Sequence, residues 1–154
     1  MKVLFSNVPW HQTYNKETGE SGWLGIRAGS RWPHTIEHCG GSLVSSHYLP
    51  FPFFLATAGA LAKKNGLEAV VRDSIAMGET YETFYQFVAD YQPNVVLIET
   101  STPSLNNDLR VASKIKSILD SVQIVFTGIH FELEKTAFLD RQADIDFIVY
   151  GEYE

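Results

Sequence analysis

The chain has 154 residues, a length typical of one domain, and its 45% hydrophobic and 19% charged residues exclude a disordered chain. Its net charge is −6 and it has no basic run, so we expect neither nucleic acid nor an anionic membrane as a partner. The lone cysteine, Cys39, excludes an intramolecular disulfide and favours a reducing compartment. The apolar start is too short for a signal peptide or a membrane span, which predicts a cytoplasmic protein.

Five short apolar runs along the chain predict β-strands. Their cores are continuous rather than alternating and are rich in β-branched residues, which is typical of parallel strands covered by helices on both faces. The predicted strands are residues 3–6, 68–72, 95–99, 123–127 and 146–150.

Helical patterns separate the later strands, and the predicted helices are residues 53–64, 80–91, 104–119 and 131–140. The first ends at Asn65-Gly66, a pair typical of a left-handed C-cap. The third carries an apolar stripe at spacings of three and four, formed by Leu105, Leu109, Ala112, Ile115 and Leu119. This alternation predicts a flavodoxin-like (Rossmann-like), doubly wound α/β fold with a five-stranded parallel sheet of order 2-1-3-4-5.

A long insertion, residues 7–52, separates the first strand from the first helix. It contains three tryptophans and four of the five histidines, so we expect an ordered lid or a docking surface rather than disorder. His34, His38 and Cys39 lie close together within it. Structural zinc sites need four ligands, usually in two pairs, and we therefore predict no metal site there.

Folds of this class bind ligands beyond the carboxyl ends of the strands, at the switch point between the first and third strands. The residues at these ends are small, polar or glycine, so the backbone can approach a ligand closely and hydrogen bond to it. The candidate ligand-binding residues are Asn7, Pro9, Asp73, Thr100, Ser101, Thr102, Gly128, Ile129, His130, Gly151 and Glu152. Asp73 is equally well interpreted as a turn residue, and the 100–104 run as a strand-to-helix connection.

Together these loops resemble the cobalamin-binding N-terminal domain of cobalamin-dependent radical S-adenosylmethionine enzymes. That family has an Asn-x-Pro loop, a Leu-Pro pair before the first helix, an Asp after strand two, Ser/Thr residues after strand three, a Gly-x-His loop and a final Asp-Phe with Gly-Glu-x-Glu. The matching residues here are Asn7 with Pro9, Leu49-Pro50, Asp73, Thr100-Ser101-Thr102, Gly128 with His130, Asp146-Phe147, and Gly151-Glu152 with Glu154.

The resemblance implies that the chain binds cobalamin base-off, with no protein histidine below the cobalt. Methionine-synthase-type domains carry Asp-x-His-x-x-Gly after strand one, whereas Asp73-x-Ile75-x-x-Gly78 follows strand two here and offers no ligand. His11 is a poor substitute because it lacks the flanking Asp and Gly. The family also implies a radical S-adenosylmethionine domain in the same polypeptide, with a 4Fe-4S cluster and S-adenosylmethionine, reached through a linker that starts at residues 151–154. This chain alone is then expected to bind but not to catalyse.

Two positions depart from the family pattern, and they keep an alternative open. Thr127 replaces the first glycine of a Gly-Gly-x-His loop, and Tyr153 replaces the second glycine of Gly-Glu-Gly-Glu. The alternative is a degenerate flavodoxin-like interaction module that has lost the cofactor. A phosphoreceiver is excluded because Thr100 stands where the phosphoacceptor Asp would be, and a dinucleotide-binding domain because Gly-x-Gly-x-x-Gly is absent.

Overall fold

The computed structural model describes residues 1–10, 36–39, 42–45, 51–77, 79–128, 130–131 and 135–151. The strands in these parts of the chain are β1 (Lys2–Asn7), β2 (Ile36–Cys39), β3 (Ser42–Ser45), β4 (Glu68–Asp73), β5 (Val95–Glu99), β6 (Gln123–Thr127) and β7 (Phe147–Val149). The helices are α1 (Phe53–Lys64), α2 (Tyr81–Tyr91), α3 (Leu105–Ile118) and a 3₁₀ helix (Lys135–Arg141).

The main sheet is parallel, and its strands lie in the order β4-β1-β5-β6-β7. Counted along the chain, this is the predicted order 2-1-3-4-5, so the fold prediction is confirmed. The strand β1 is second in this order and pairs with β4 on one side and β5 on the other. Asn7 is opposite Asp73 in this register, and Glu99 is opposite Thr127, so the loops that follow these strands leave from the same edge.

Apolar residues cover both faces of the sheet, as the continuous strands predict. On one face Leu4 and Val96 pack in a cluster with Phe84 of α2 and Ile115 of α3. The cluster on the other face joins Val3 and Phe5 to residues of α1 such as Leu55 and Ala58. Alternate residues of β1 therefore enter opposite cores, and this two-sided burial explains why the strand is apolar throughout.

The helices end and begin where their capping residues predict. After α1, Gly66 has a φ of +81°, and the Leu67 amide donates to the Ala62 carbonyl (3.1 Å) while the Gly66 amide donates to Lys63 (3.0 Å). This pair of bonds is a Schellman C-cap, as expected from Asn65-Gly66. Thr80 caps α2 by accepting a hydrogen bond from the Thr83 amide.

Three local features differ from the sequence predictions. The insertion contains an antiparallel hairpin, β2 with β3, that the apolar pattern did not reveal. In the region of the last predicted helix, residues 131–140, the described residues Lys135–Arg141 form a 3₁₀ helix, a geometry common in short connections. The strand β7 is shorter than predicted because Asp146 precedes it and makes side-chain contacts of its own. The Asp146 carboxylate accepts a hydrogen bond from the Ile124 amide (2.6 Å) and forms an ion pair with Lys116 (2.7 Å).

Candidate functional site

The carboxyl edge of the sheet brings most of the predicted site residues to one end of the domain. Asn7 ends β1, Asp73 ends β4, Thr100 follows β5 and Gly128 follows β6. Gly151 lies two residues beyond β7 and is exposed, with open space where a Cβ would be. Ile129 and Glu152, which were also predicted to contact the ligand, lie outside the described residues, as does His11.

The loops after β5 and β6 are joined through their backbones. The Thr100 amide donates a hydrogen bond of 2.7 Å to the Thr127 carbonyl. Gly128 has a φ of +118°, and a Cβ on it would collide with the Thr100 carbonyl oxygen. Gly128 therefore lets the loops after β5 and β6 contact each other through their backbones.

Thr102 and His130 join the outer parts of the same two loops. The Thr102 hydroxyl and the His130 Nδ1 share a hydrogen bond of 3.1 Å. The rings of Phe131 and Phe138 pack edge-on against the imidazole, at centroid distances of 5.2 and 6.2 Å. The imidazole is thereby fixed in orientation, and its Nε2 is buried without a hydrogen-bond partner among the described residues.

Ser101, Ser104 and Asp108 form a buried chain of hydrogen bonds at the start of α3. The Ser104 hydroxyl donates to Asp108 Oδ2 (2.7 Å) and accepts from the Ser101 amide (3.0 Å). The Ser101 hydroxyl is 3.1 Å from the same Ser104 oxygen. Since all three side chains are at most 6% exposed, their orientations are fixed before any ligand arrives.

Asp108 is a buried carboxyl without a cationic partner in the described part of the chain. Burial raises its pKa from 3.8 to about 7, although hydrogen bonds from Ser104 and Asn107 oppose this rise. At neutral pH the Asp108 carboxyl therefore populates two states: an ionised carboxylate, which only accepts hydrogen bonds, and a neutral acid, which can also donate one.

Asn107 ties the loop after β1 to two helices. Its amide nitrogen donates to the Pro9 carbonyl (2.9 Å), and its side-chain oxygen accepts from the Tyr81 hydroxyl (2.6 Å). Pro9 was predicted as a ligand contact, and here its carbonyl is used to fix the first loop against α3.

Asp73 adopts the turn role that its sequence also allowed. Its Oδ1 accepts from the Ala76 amide (3.2 Å), and the Asp73 carbonyl accepts from Met77 (3.1 Å). Glu79, which is 5% exposed, fixes the same loop. Its carboxylate accepts a hydrogen bond from the Ser74 hydroxyl (2.7 Å) and forms a bidentate ion pair with Arg72. A rigid turn therefore follows β4, and binding by Asp73 stays a prediction.

A small cleft opens at the switch point between β1 and β5, where the fold class predicts a ligand. It encloses about 200 Å³, including open solvent at its mouth. Its lining residues are Asn7, Val8, Trp10, Ile75, Glu99, Ser104 and Asp108. Asn7 is 3% exposed, and its amide nitrogen has no hydrogen-bond partner among the described residues.

Several of these residues were missed by sequence reasoning. Asn107 and Asp108 were not part of the predicted apolar stripe, yet both are buried on the same side as Val111, Ala112 and Ile115. The buried stripe is rotated from the predicted one, since Leu105 and Leu109 are only partly buried. The spacing nevertheless indicated burial. Asp108 is four residues before Ala112 and four after Ser104, so it lies on the face of the helix that packs against the core.

No group of three or more His, Cys, Asp or Glu residues in the described ranges could hold a metal ion. The side chains of His34, His38 and Cys39, considered for zinc, lie outside that description. In the described part of the chain, no helix combines the length and apolar character needed to cross a bilayer.

The parallel doubly wound sheet, with a partly polar cleft at its switch point, defines the class of the chain: an α/β ligand-binding domain. Residues 41–154 match the B12 binding domain family, and because this match covers well over half of the sequence, the chain belongs to that family. Membership supports cobalamin as the ligand. No curated protein and no solved structure matched the chain.

The residues at the carboxyl edge fit such a ligand on two counts. Asn7 Nδ2 and Thr127 Oγ1 are buried polar atoms without partners among the described residues, which is costly unless a ligand completes them. Gly128 lets two loops approach more closely than any side chain would allow, and its partly exposed backbone follows β6 at the same edge of the sheet.

Proposed function

We propose that this domain binds cobalamin base-off at the carboxyl edge of its sheet. The observation that carries the proposal is the family match together with a cleft at the switch point, where the buried amide nitrogen of Asn7 has no hydrogen-bond partner among the described residues. When bound, cobalamin supplies a cobalt centre that can carry a methyl group or support radical chemistry.

The chain's own contribution is to position the cofactor. In this proposal Thr100, Ser101 and Thr102 face it from the loop after β5, with Gly128, Ile129 and His130 after β6. Asn7 and Pro9 contribute from the end of β1, next to Asp73 at the end of β4. Gly151 and Glu152 come after β7 in the sequence. The fixed hydroxyls and the close backbone at Gly128 support this assignment because they lower the entropy lost on binding.

The base-off mode is supported by the nature of the residues near the cleft. Ile75 lines the cleft and is 6% exposed, but its aliphatic side chain cannot ligate cobalt. His130 is held by Thr102 and two phenylalanine rings at the outer loops rather than in the cleft lining. The nucleotide tail of the cofactor is therefore proposed to lie beside the sheet, with no protein ligand below the cobalt.

In the full protein we propose a radical S-adenosylmethionine domain after residues 151–154, with a 4Fe-4S cluster and S-adenosylmethionine as further cofactors. The resemblance at Gly151 and Glu152 supports this context, and methyl transfer or a radical cyclisation is the reaction class that it implies. The parent reading frame tests the proposal: a Cys-x-x-x-Cys-x-x-Cys motif is expected downstream of Glu154. A parent sequence without that motif would contradict it.

The test of cobalamin binding is direct. The chain is incubated with hydroxocobalamin, passed through gel filtration and examined by absorbance, and we expect a cobalt chromophore that elutes with the protein. Elution of all the cobalamin as free cofactor would contradict the proposal and favour the interaction module without a cofactor.

Substitution His11→Ala tests the base-off mode in the same experiment. Because no protein histidine is proposed below the cobalt, the spectrum of bound cobalamin should be the same in H11A and in the unmodified chain. A large spectral change in H11A would show that His11 ligates the cobalt. Substitution His47→Ala is a matched control, since it removes another histidine of the insertion.

A further inference from the structure

The outer face of α1 differs in chemistry from the outer faces of the other two α-helices. Exposed positions of α2 and α3 are largely polar or charged and include Glu82, Gln86, Arg110 and Lys114. In contrast, α1 has no charged residue before Lys63. The inner face of α1 already packs on the sheet, so this helix is apolar on both sides, a pattern typical of a helix that is covered on both.

Three phenylalanine rings at the start of α1 form the largest part of this outer face. Phe51, Phe53 and Phe54 are 61%, 70% and 53% exposed, and Leu61, further along the helix, is 46% exposed. The rings of Phe51 and Phe53 pack edge-on with their centroids 5.0 Å apart. Because a large aromatic side chain covers roughly 150–250 Å², the three rings together expose on the order of 300 Å², the size of a surface patch that often binds a partner.

One row of residues along this face has the same order of long and small side chains in both directions. Phe53, Thr57, Ala60 and Lys64 are exposed and follow each other at spacings of four, three and four, so they lie on one side of α1. The long side chains are at the two ends of the row, and the small ones are in the middle. When a second α1 is laid antiparallel on the first, small residues meet small residues and Phe53 meets Lys64. Such a surface is complementary to itself about a twofold axis.

The charges of α1 favour the same pairing. Its charged residues are Lys63 and Lys64 at the C-terminal end, and the acidic residues that give the chain its net charge of −6 all lie outside this helix. In an antiparallel pair, the lysines of one copy lie beside the phenylalanine rings of the other, where an ammonium group is attracted to the face of a ring. The 12-residue helix is about 18 Å long, so the lysines of the two copies are further apart than the screening length of about 8–10 Å and repel each other weakly.

We propose that the outer face of α1 is the contact surface of a homodimer, in which the two copies of α1 pack antiparallel about a twofold axis between Thr57 and Ala60. The small residues there let the helix axes approach to about 8–10 Å. One helix from each copy buries on the order of 1,000 Å² in total, less than a standard interface, so we expect a weak dimer with a Kd of roughly 1–100 μM.

The proposed dimer leaves the candidate ligand site open. Because α1 connects the end of β1 to the start of the parallel strand β4, its N-terminus lies at the carboxyl edge of the sheet. Antiparallel packing of two such helices places the two carboxyl edges at opposite ends of the dimer. Dimerisation of this kind therefore does not require cobalamin and does not compete with it.

Sedimentation equilibrium of the full chain tests the dimer at about 5 to 500 μM, a range that includes the expected Kd. The measured mass should rise from that of one chain toward that of two. In the variant Ala60→Glu (A60E) two carboxylates lie close to the axis, so dimerisation should be at least about tenfold weaker. Phe53→Ser should also weaken it, because the ring that meets Lys64 is removed. Ser113→Glu adds the same charge on the exposed side of α3 and is the matched control, which should dimerise like the unmodified chain.

Disulfide formation tests the antiparallel register. Chains with Thr57→Cys and chains with Ala60→Cys, both also carrying Cys39→Ser, are mixed in equal amounts and oxidised. Cross-links between the two variants should exceed those within either one, since position 57 of one copy faces position 60 of the other. Equal cross-linking within and between the variants would contradict this register.

Two results would overturn the dimer itself. One is an unmodified chain that stays monomeric up to about 500 μM, and the other is a dimer as stable in A60E and in Phe53→Ser as in the unmodified chain. If a monomeric chain floated with phosphatidylcholine vesicles and A60E did not, the outer face of α1 would bind a lipid surface in place of a second copy. Circular dichroism checks that A60E melts like the Ser113→Glu control, as expected for an exposed position.

Discussion

Gly128 is the residue at which backbone geometry and the candidate site depend most directly on each other. Its φ of +118° is rarely adopted by other residues, and the carbonyl of Thr100 fills the space where a Cβ would lie. The loop after β6 can therefore contact the loop after β5 only with glycine at this position.

Substitution Gly128→Ala is expected to destabilise the fold by about 2 kcal/mol or more, because strain and collision add. It should also abolish retention of hydroxocobalamin. Chemical denaturation and gel filtration measure the two effects. Gly66→Ala is the control, since Gly66 has a φ of +81° but open space around its Cβ; it should cost only about 1 kcal/mol and keep binding. Equal costs in G128A and G66A would contradict the argument.

Asp108 makes stability depend on pH with a defined sign. Its pKa is about 7 in the folded chain and near 3.8 when unfolded, so the folded state holds the proton to higher pH. This contribution is fully present below about pH 3.8 and is lost as the pH rises through about 7, by at most roughly 4 kcal/mol. The measurement is chemical denaturation of the unmodified chain and of the variant Asp108→Asn (D108N) at several pH values. We expect the difference in their free energies of unfolding to become smaller as the pH rises over this range. Parallel pH profiles would show that the carboxyl does not titrate as described.

Among single residues, those that directly follow a strand could be predicted from the sequence, whereas a buried polar residue within a helix could not. Thr100, Ser101 and Gly128 follow apolar strands directly, so their place at the edge could be inferred from chain order alone. Asp108 is helical, and a charged residue in a helix is usually solvated, so only its position in line with the core gave a signal. Hydrogen bonds from Ser104 and Asn107 make its burial tolerable.

Among the elements, α1 contacts β4 through the backbone of a glycine, Gly59. A Cβ at Gly59 would collide with Cγ2 of Val71 in β4, so the helix can lie at its observed distance only because this position lacks a side chain. Gly59 is otherwise a poor helix residue, and alanine would favour the helix by roughly 1 kcal/mol.

Despite that propensity, Gly59→Ala is expected to lower the free energy of unfolding by about 1–3 kcal/mol, through overpacking. Adding Val71→Ala removes the colliding methyl groups and should recover part of the loss, a coupling that a double-mutant cycle in denaturant measures. A G59A chain as stable as the unmodified one would show that the helix shifts freely. Ala60→Ser, on the exposed side of α1, is the control and should have little effect.

Element bounds were predictable where apolar runs or caps are strong. The strands β5 and β6 and the helix α1 have the predicted bounds, because apolar runs and the Asn65-Gly66 cap mark them. The hairpin of β2 and β3 was not predictable in this way, since Ile36–Cys39 and Ser42–Ser45 mix polar and apolar residues in strands of four. Antiparallel hairpins depend on pairing and turn geometry, which such short runs do not reveal.

At the scale of the whole molecule, the residues that match the family do not include every strand of the main sheet. The match covers residues 41–154, whereas β1, at residues 2–7, is an interior strand that pairs on both sides and carries Asn7. Val3, Leu4 and Phe5 are buried in the two cores that β1 separates. The domain is therefore incomplete without a strand that the family match leaves out.

A fragment of residues 41–154 is accordingly expected to lack a cooperative thermal transition by circular dichroism and to retain no hydroxocobalamin. Without β1, the strands β4 and β5 lose their shared partner, and the apolar surfaces around them are left exposed. The full chain is the control. A cooperative transition in the fragment would mean that the remaining strands can form a stable sheet alone.

The carboxyl edge of this sheet is proposed to be a cobalamin site without a protein ligand below the cobalt. The most direct measurement is an absorbance titration of the full chain with hydroxocobalamin, followed by gel filtration. We predict saturation at about one cobalt per chain, as expected for a single edge of a single sheet, with the spectrum of base-off cofactor. Cobalamin that elutes wholly free of the protein, or binds with a histidine-ligated spectrum, would contradict the account.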